Sequence, residues 1–165
     1  MPKTLYTLEV CIIEGPMTEQ FVEANPVICR TIEIRGLQTL GQLHRAIFRA
    51  FDRWDDCHLC EFQFGSGPHE PDGPRYVMPC ILDSPFDDRP FAGTIDETRL
   101  DDLNLEVGRS FGYWYDFGDN WYHQVNVVAI GEPEAGRRYP RVVAKGGQSP
   151  PQYMDWDEEE GDDDE

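Results

Sequence analysis

The stretch Phe111-Gly112-Tyr113-Trp114-Tyr115-Asp116-Phe117-Gly118-Asp119-Asn120-Trp121-Tyr122-His123 decides how the chain is read. It is the densest aromatic run in the sequence and continues into Val125, Val127 and Val128. Aromatic and β-branched residues on both sides of a Gly-Asp-Asn turn signal predict strand, tight turn and strand. Register then decides what is buried, because a slip of one residue exchanges the two faces. A loop of Asp119-Asn120 would set Asp116 opposite His123. A loop of Gly118-Asp119-Asn120 sets Phe117 opposite Trp121, Tyr115 opposite His123 and Tyr113 opposite Val125. The second register gathers Phe111, Tyr113, Tyr115, Phe117, Trp121, His123, Val125 and Val127 on one face. Trp114, Asp116, Tyr122, Gln124 and Asn126 fall on the other. That is the cleaner apolar/polar division and is the expectation, with Asn120 in the left-handed conformation such a loop needs.

Upstream, Tyr6, Leu8, Val10 and Ile12 alternate with polar residues, as do Ile28, Ile32 and Ile34. Both runs have the period of a half-buried strand, and their proximity predicts an antiparallel pair joined by a polar connection over 16–25. Between 39 and 53 the period changes. Thr39 and Gln42 have capping-box spacing, and Leu40, Leu43, Ile47, Ala50 or Phe51, and Trp54 recur at helical intervals. His58, Cys60, Phe62 and Phe64 alternate onto one face of a further strand, and Tyr76-Val77-Met78 form a short one. Residues 79–93 read as irregular, and a helical turn is expected near 100–104. The fold class is α+β: a curved, largely antiparallel sheet packed against a main helix at about 39–53.

The formal net charge is −18, but residues 155–165 carry nine acids and no base. Residues 1–154 retain 23 acids against 14 bases, a net −9. We therefore expect a single domain over 1–154 and a disordered acidic tail over 155–165. An acidic body disfavours nucleic-acid binding. No apolar run reaches the roughly 20 residues of a membrane helix. Five cysteines without framework spacing read as reduced thiols in a cytoplasmic protein.

Candidate ligand-binding residues are His58, Tyr113, Tyr115, Asp116, Asp119, Trp121 and His123, the polar and aromatic groups gathered at the hairpin. His58, Cys60 and His123, with Cys57 nearby, supply metal-ligand types, yet the spacing lacks the paired elements of a structural zinc site. No metal or other cofactor is expected. Satisfied core histidines, and aspartates that cap a turn, are the simpler readings. No Gly-x-Ser-x-Gly, phosphate loop or dinucleotide fingerprint occurs, so no catalytic residue is assigned.

The pattern Tyr113-x-Tyr115-Asp-Phe-Gly-Asp119-x-Trp121-x-His123 resembles the signature of the plasmid open-reading-frame-three-like family. Members of that family occur on plasmids and beside transposable elements. Leu40-x-x-Leu-His44-x-x-Ile47-x-x-x-Phe51, then Trp54 and Asp56-x-His58-Leu-x-x-Phe62, resemble the family's helix and following strand. Pro26-Val-Ile-Cys-Arg30 resembles its early strand. The likeness spans about residues 4–151. Cys29 stands where the family often has Trp. Ser149-Pro-Pro-Gln-Tyr153 stands where a Cys-Pro-Pro-Glu-Asp ending is common, so roles resting on those groups do not transfer. The resemblance implies the α+β fold and carries no reaction.

Three functions are weighed. The first is a binding or interaction module for a peptide, small ligand or protein partner. The second is an enzyme or metalloprotein using His58, His123, Asp116 and Asp119. The third is a nucleic-acid accessory factor using Arg45, Arg49 and Arg53 or Arg137, Arg138 and Arg141. Aromatic-rich sheets without a nucleophile favour the first.

Overall fold

A computed structural model describes residues 3–68, 70, 73–85, 87 and 90–153, and the expected acidic tail lies outside them. The chain forms an open eight-stranded sheet and two α-helices among the described residues, a mixed α+β architecture. The elements are β1 (Leu5–Glu14), α1 (Glu19–Ala24), β2 (Cys29–Arg35), α2 (Leu40–Ala50) and β3 (Cys60–Gln63). They continue with β4 (Arg75–Val77), β5 (Gly93–Thr94), β6 (Ser110–Tyr115), β7 (Trp121–Gly131) and β8 (Arg141–Gly146). The order across the sheet is β5-β4-β3-β6-β7-β1-β2-β8. All neighbours are antiparallel except β4 and β5. The aromatic hairpin β6–β7 lies near the middle, where strands are covered on both edges.

The hairpin's register differs from the expected one. Tyr113 pairs with His123, Trp114 with Tyr122 and Tyr115 with Trp121, so 116–120 form a five-residue loop. Asp116 is the cause. It enters the left-handed region (φ 62°), and its Oδ1 accepts the amides of Gly118 and Asp119 at 3.0 and 3.1 Å. Asn120 is also left-handed (φ 61°). The pairing is displaced by two residues rather than one, so the faces hold: Phe111, Tyr113, Tyr115, Trp121, His123, Val125 and Val127 are all buried. Phe117 leaves that face and stacks on Trp114, centroids 4.0 Å apart. Asp116, expected on the polar face, is instead buried where strand alternation has ended.

Helix α2 starts at the capping box, with Thr39 Oγ1 accepting from Gln42 N and the Gln42 side chain accepting from Thr39 N. It buries Leu40, Leu43, Ile47 and Ala50 against the sheet. Each fully buried aliphatic side chain contributes about 1.5–3 kcal/mol. Trp54, expected on this stripe, lies beyond the helix end and is 71% exposed. The chain leaves helical geometry at Asp52 (φ 55°), which turns Trp54 out of phase. The same turn sends Arg53 inward: it is buried, 4.1 Å over the Trp121 ring, and its Nη1 donates to Pro150 O. Burial lowers its pKa to about 10. Arg53 therefore belongs to no exposed arginine face. Arg30 also points inward, between Ile28 and Ile32. Its guanidinium donates to the carbonyls of Cys29, Ala50, Gly146 and Gly147 and to Ser149 Oγ. These two cations fasten residues 146–150 across the end of α2.

Three further features depart from expectation. Residues 19–24 of the polar connection form α1, capped by Thr18 and without a buried residue. Edge strand β8 pairs with β2, although the local pattern showed only a basic cluster and glycines. β3 is buried on both faces, because Arg75 from β4 bonds Glu61 and Asp87 over its second face. No helix among the described residues is long and apolar enough to cross a membrane.

The reading of five reduced cysteines is also corrected. Cys11 and Cys29 stand directly opposite each other in β1 and β2, with Cα atoms 4.1 Å apart, and form a disulfide. Cys57, Cys60 and Cys80 are free. Thiol titration of denatured, unreduced protein should return three groups, rising to five after reduction. Five before reduction would show the bond absent.

Candidate functional site

Two polar clusters flank the aromatic core. The first lies at the hairpin loop. His58 Nδ1 is 3.4 Å from Asp116 Oδ2, and its Nε2 is 3.5 Å from Asp55 Oδ2 and 2.6 Å from the Tyr153 hydroxyl. Tyr153 donates to Asp55 Oδ2 at 2.7 Å, and this hydrogen bond raises the phenol pKa to about 12 while holding the Asp55 carboxyl below its ordinary value. Tyr115 Oη donates to Asp55 O. Gln152 locks the same turn, its carbonyl accepting from the Trp54 and Asp55 amides and its amide donating to Asp55 O. Asp116 thus has two roles, with one oxygen closing the loop and the other facing an imidazole.

The second cluster lies under α2. His44 projects from the helix to Tyr113 of β6, with Nδ1 and Oη 2.6 Å apart. Burial, reinforced by the neighbouring Arg45 charge, depresses the His44 pKa to about 4, with Asp96 and Asp56 opposing. The ring is therefore neutral near pH 7. Beneath it, burial raises the thiol of Cys60 and the phenol of Tyr113 well above their ordinary values. His44 opens outward on a groove of about 370 Å³. Phe48, Met78, Pro79 and Ile95 supply its apolar surface, and Arg45, Arg49, Asp56 and Asp96 its charges. A volume of this size suits a small organic ligand.

The helix motif and the hairpin motif thus meet in one hydrogen bond, and a family profile spanning both matches residues 20–156. The chain belongs to the plasmid pRiA4b ORF-3-like protein family. It is 28% identical over 131 residues to the uncharacterized protein y4hQ of Sinorhizobium fredii strain NGR234. That alignment takes in 78% of this chain and 59% of the relative, so the chain spans under two thirds of that protein's length. The crystal structure of the protein of unknown function MM3350 from Methanosarcina mazei Go1 superposes with a TM-score of 0.63 at 26% identity. The superposition covers 88% of this chain and 71% of that one. MM3350 shares the fold, and neither the family nor these relatives carry a named activity.

Within this ORF-3-like fold the sequence-derived site residues separate. His58, Tyr115 and Asp116 converge. Tyr113, Trp121 and His123 are sealed in the core, at 1%, 0% and 2% exposure. Asp119 is exposed in the loop and offers its amide, not its carboxylate, to Asp116. His123 Nδ1 lies 3.2 Å from Tyr113 O, and its ring packs on Phe51 and Tyr113. His58, Cys60 and His123 do not bring their ligand atoms together. Among the described residues the groupings of metal-ligand type are Glu9, Cys11 and Cys29, the last two disulfide-bonded, and half-buried Asp55 with exposed Asp56 and Cys57. The arginines of the nucleic-acid reading are likewise divided: Arg53 is buried, Arg137 pairs with Glu134, and Arg141 with Glu33. The helical pattern left His44 off the apolar stripe, and sequence reasoning missed its part in the site. Its signal was position: one residue after the buried Leu43, at the edge of the apolar stripe, where a side chain can reach the sheet.

Substituting the two hairpin histidines separates core from surface. His123→Ala should cost about 2–4 kcal/mol in urea denaturation, as a large-to-small change in a sealed site does. His58→Ala, at a partly exposed position, should cost about 1 kcal/mol or less. A pH series tests His44. Its folded pKa of about 4 lies below the 6.5 of a free imidazole. The unfolded chain therefore binds the extra proton first, and stability is lost as pH falls from 6.5 toward 4. Across that window the wild type should lose roughly 3 kcal/mol more than His44→Gln; equal losses would contradict the assignment.

Proposed function

We propose that this ORF-3-like protein is a binding module for a small ligand, seated in the groove beside α2 and centred on His44. One observation carries the reading: an imidazole held neutral, with Nδ1 engaged by Tyr113, opens on a concavity of about 370 Å³. The ring's Nε2 has no partner among the described residues, so it offers a ligand one hydrogen bond without charge. The lining holds no hydroxyl, thiol or amine, which supports binding over covalent catalysis. His58, Tyr115 and Asp116 form the adjoining wall, Tyr115 lying about equally far from both histidines, at 6.0 Å between ring centroids. They buttress the seat by fixing the Asp55–Asp56 turn that brings Asp56 to the groove. A cytoplasmic setting is part of the proposal: free, exposed Cys57 and Cys80 argue for it, and the Cys11–Cys29 disulfide argues against it.

Histidine-ring NMR during a small-molecule screen tests it. Binders should shift the His44 ring signals and leave sealed His123 unmoved, and His44→Gln should weaken them by about tenfold or more, on the order of 1.4 kcal/mol. Binders that move only His58 would displace the seat to the loop cluster and overturn the proposal.

A further inference from the structure

The charges around the groove are balanced but not paired with one another. Arg45 and Arg49 stand one helical turn apart on α2, a like-charged pair at a spacing that is mildly destabilising by itself. Asp56 follows the helix after the turn at 52–55, and Asp96 lies at the helix start, close enough to Gly41 that a Cβ there would meet its carboxylate at 2.6 Å. None of these four side chains has an ion-pair partner among the described residues. In a chain of net −18, a cavity bordered by two arginines and two aspartates around an apolar floor is a local exception.

We propose that the ligand of this groove is amphoteric: a small molecule carrying an ammonium, a carboxylate and an apolar group, as a free amino acid or short peptide does. The proposal rests on the His44-centred seat above. The carboxylate lies against Arg45 and Arg49, whose planar guanidinium groups match a carboxylate in two-point contact. The ammonium lies against Asp96 and Asp56. The apolar group covers Phe48, Met78 and Ile95, and neutral His44 adds a hydrogen bond without upsetting the charge balance. An organic anion would set its charge against two aspartates, and an organic cation against two arginines. Either arrangement discriminates by like-charge repulsion.

Three probes sharing one ring separate the classes: L-phenylalanine, phenethylamine and 3-phenylpropionate, each titrated into the full chain with the His44 ring signals as readout. L-phenylalanine should bind at least about tenfold more tightly than either singly charged probe. Asp96→Asn should erase its advantage over 3-phenylpropionate, and Arg49→Gln its advantage over phenethylamine. Both positions are exposed, so the thermal transition should be unchanged and a loss of fold is not confused with a loss of preference. Equal binding of all three would overturn the amphoteric class while leaving the seat standing. If other amphiphiles shift His44 and L-phenylalanine does not, the class is again overturned. If nothing shifts it, the seat falls as well.

Discussion

Beneath helix α2 the hydroxyl of Tyr113 lies 2.6 Å from His44 Nδ1, and the placement of helix on sheet depends on that contact. Tyr113 is 1% exposed and hemmed by Phe62 and His123, with centroids 4.9 Å from each. A phenol buried so deeply needs a hydrogen-bond partner. The helix supplies one only when turned so that His44 faces β6. In that rotation Leu40, Leu43, Ile47 and Ala50 point down, and Arg45 and Arg49 point out. Burial of the imidazole then keeps it uncharged, so one polar contact orients the helix and sets the chemistry of the groove beside it.

The other end of α2 is closed by buried cations. Arg30 reaches five acceptors from the inward face of β2, and Arg53 lies over Trp121. Neither is neutralised by a salt bridge among the described residues; backbone carbonyls, a serine hydroxyl and aromatic faces replace water around them. The carbonyls of Gly147 and Pro150 and the Ser149 hydroxyl come from the segment after β8, so desolvating the arginines and docking that segment are coupled. Docking in turn delivers Gln152 and Tyr153 to the Asp55 turn.

Much of the fold was legible in local pattern. The period-two runs at 5–14 and 29–35, the capping box at Thr39 and the faces of the central hairpin all follow from side-chain alternation and cap chemistry. What failed was cooperative. The loop 116–120 is longer than the Gly-Asp-Asn signal implied because a left-handed Asp116 closes it with its own carboxylate. Strand β8 carries little signal, being an exposed edge without an inward apolar face. The disulfide could not be read from spacing, because a sequence separation of 18 says nothing of the cross-strand register that sets the two cysteines opposite.

The sequence by itself determined which side chains share a face, since pleat and helix period are local properties of the backbone. It thereby placed Tyr113, Tyr115, Trp121 and His123 together and identified the family. Only the tertiary structure decided which residues meet across elements: His44 with Tyr113, His58 with Asp116, and Asp56 with Asp96 on one groove. Those meetings depend on loop closure and on the hydrogen-bond demands of buried groups. Such constraints act between residues distant along the chain and leave no periodic trace in it.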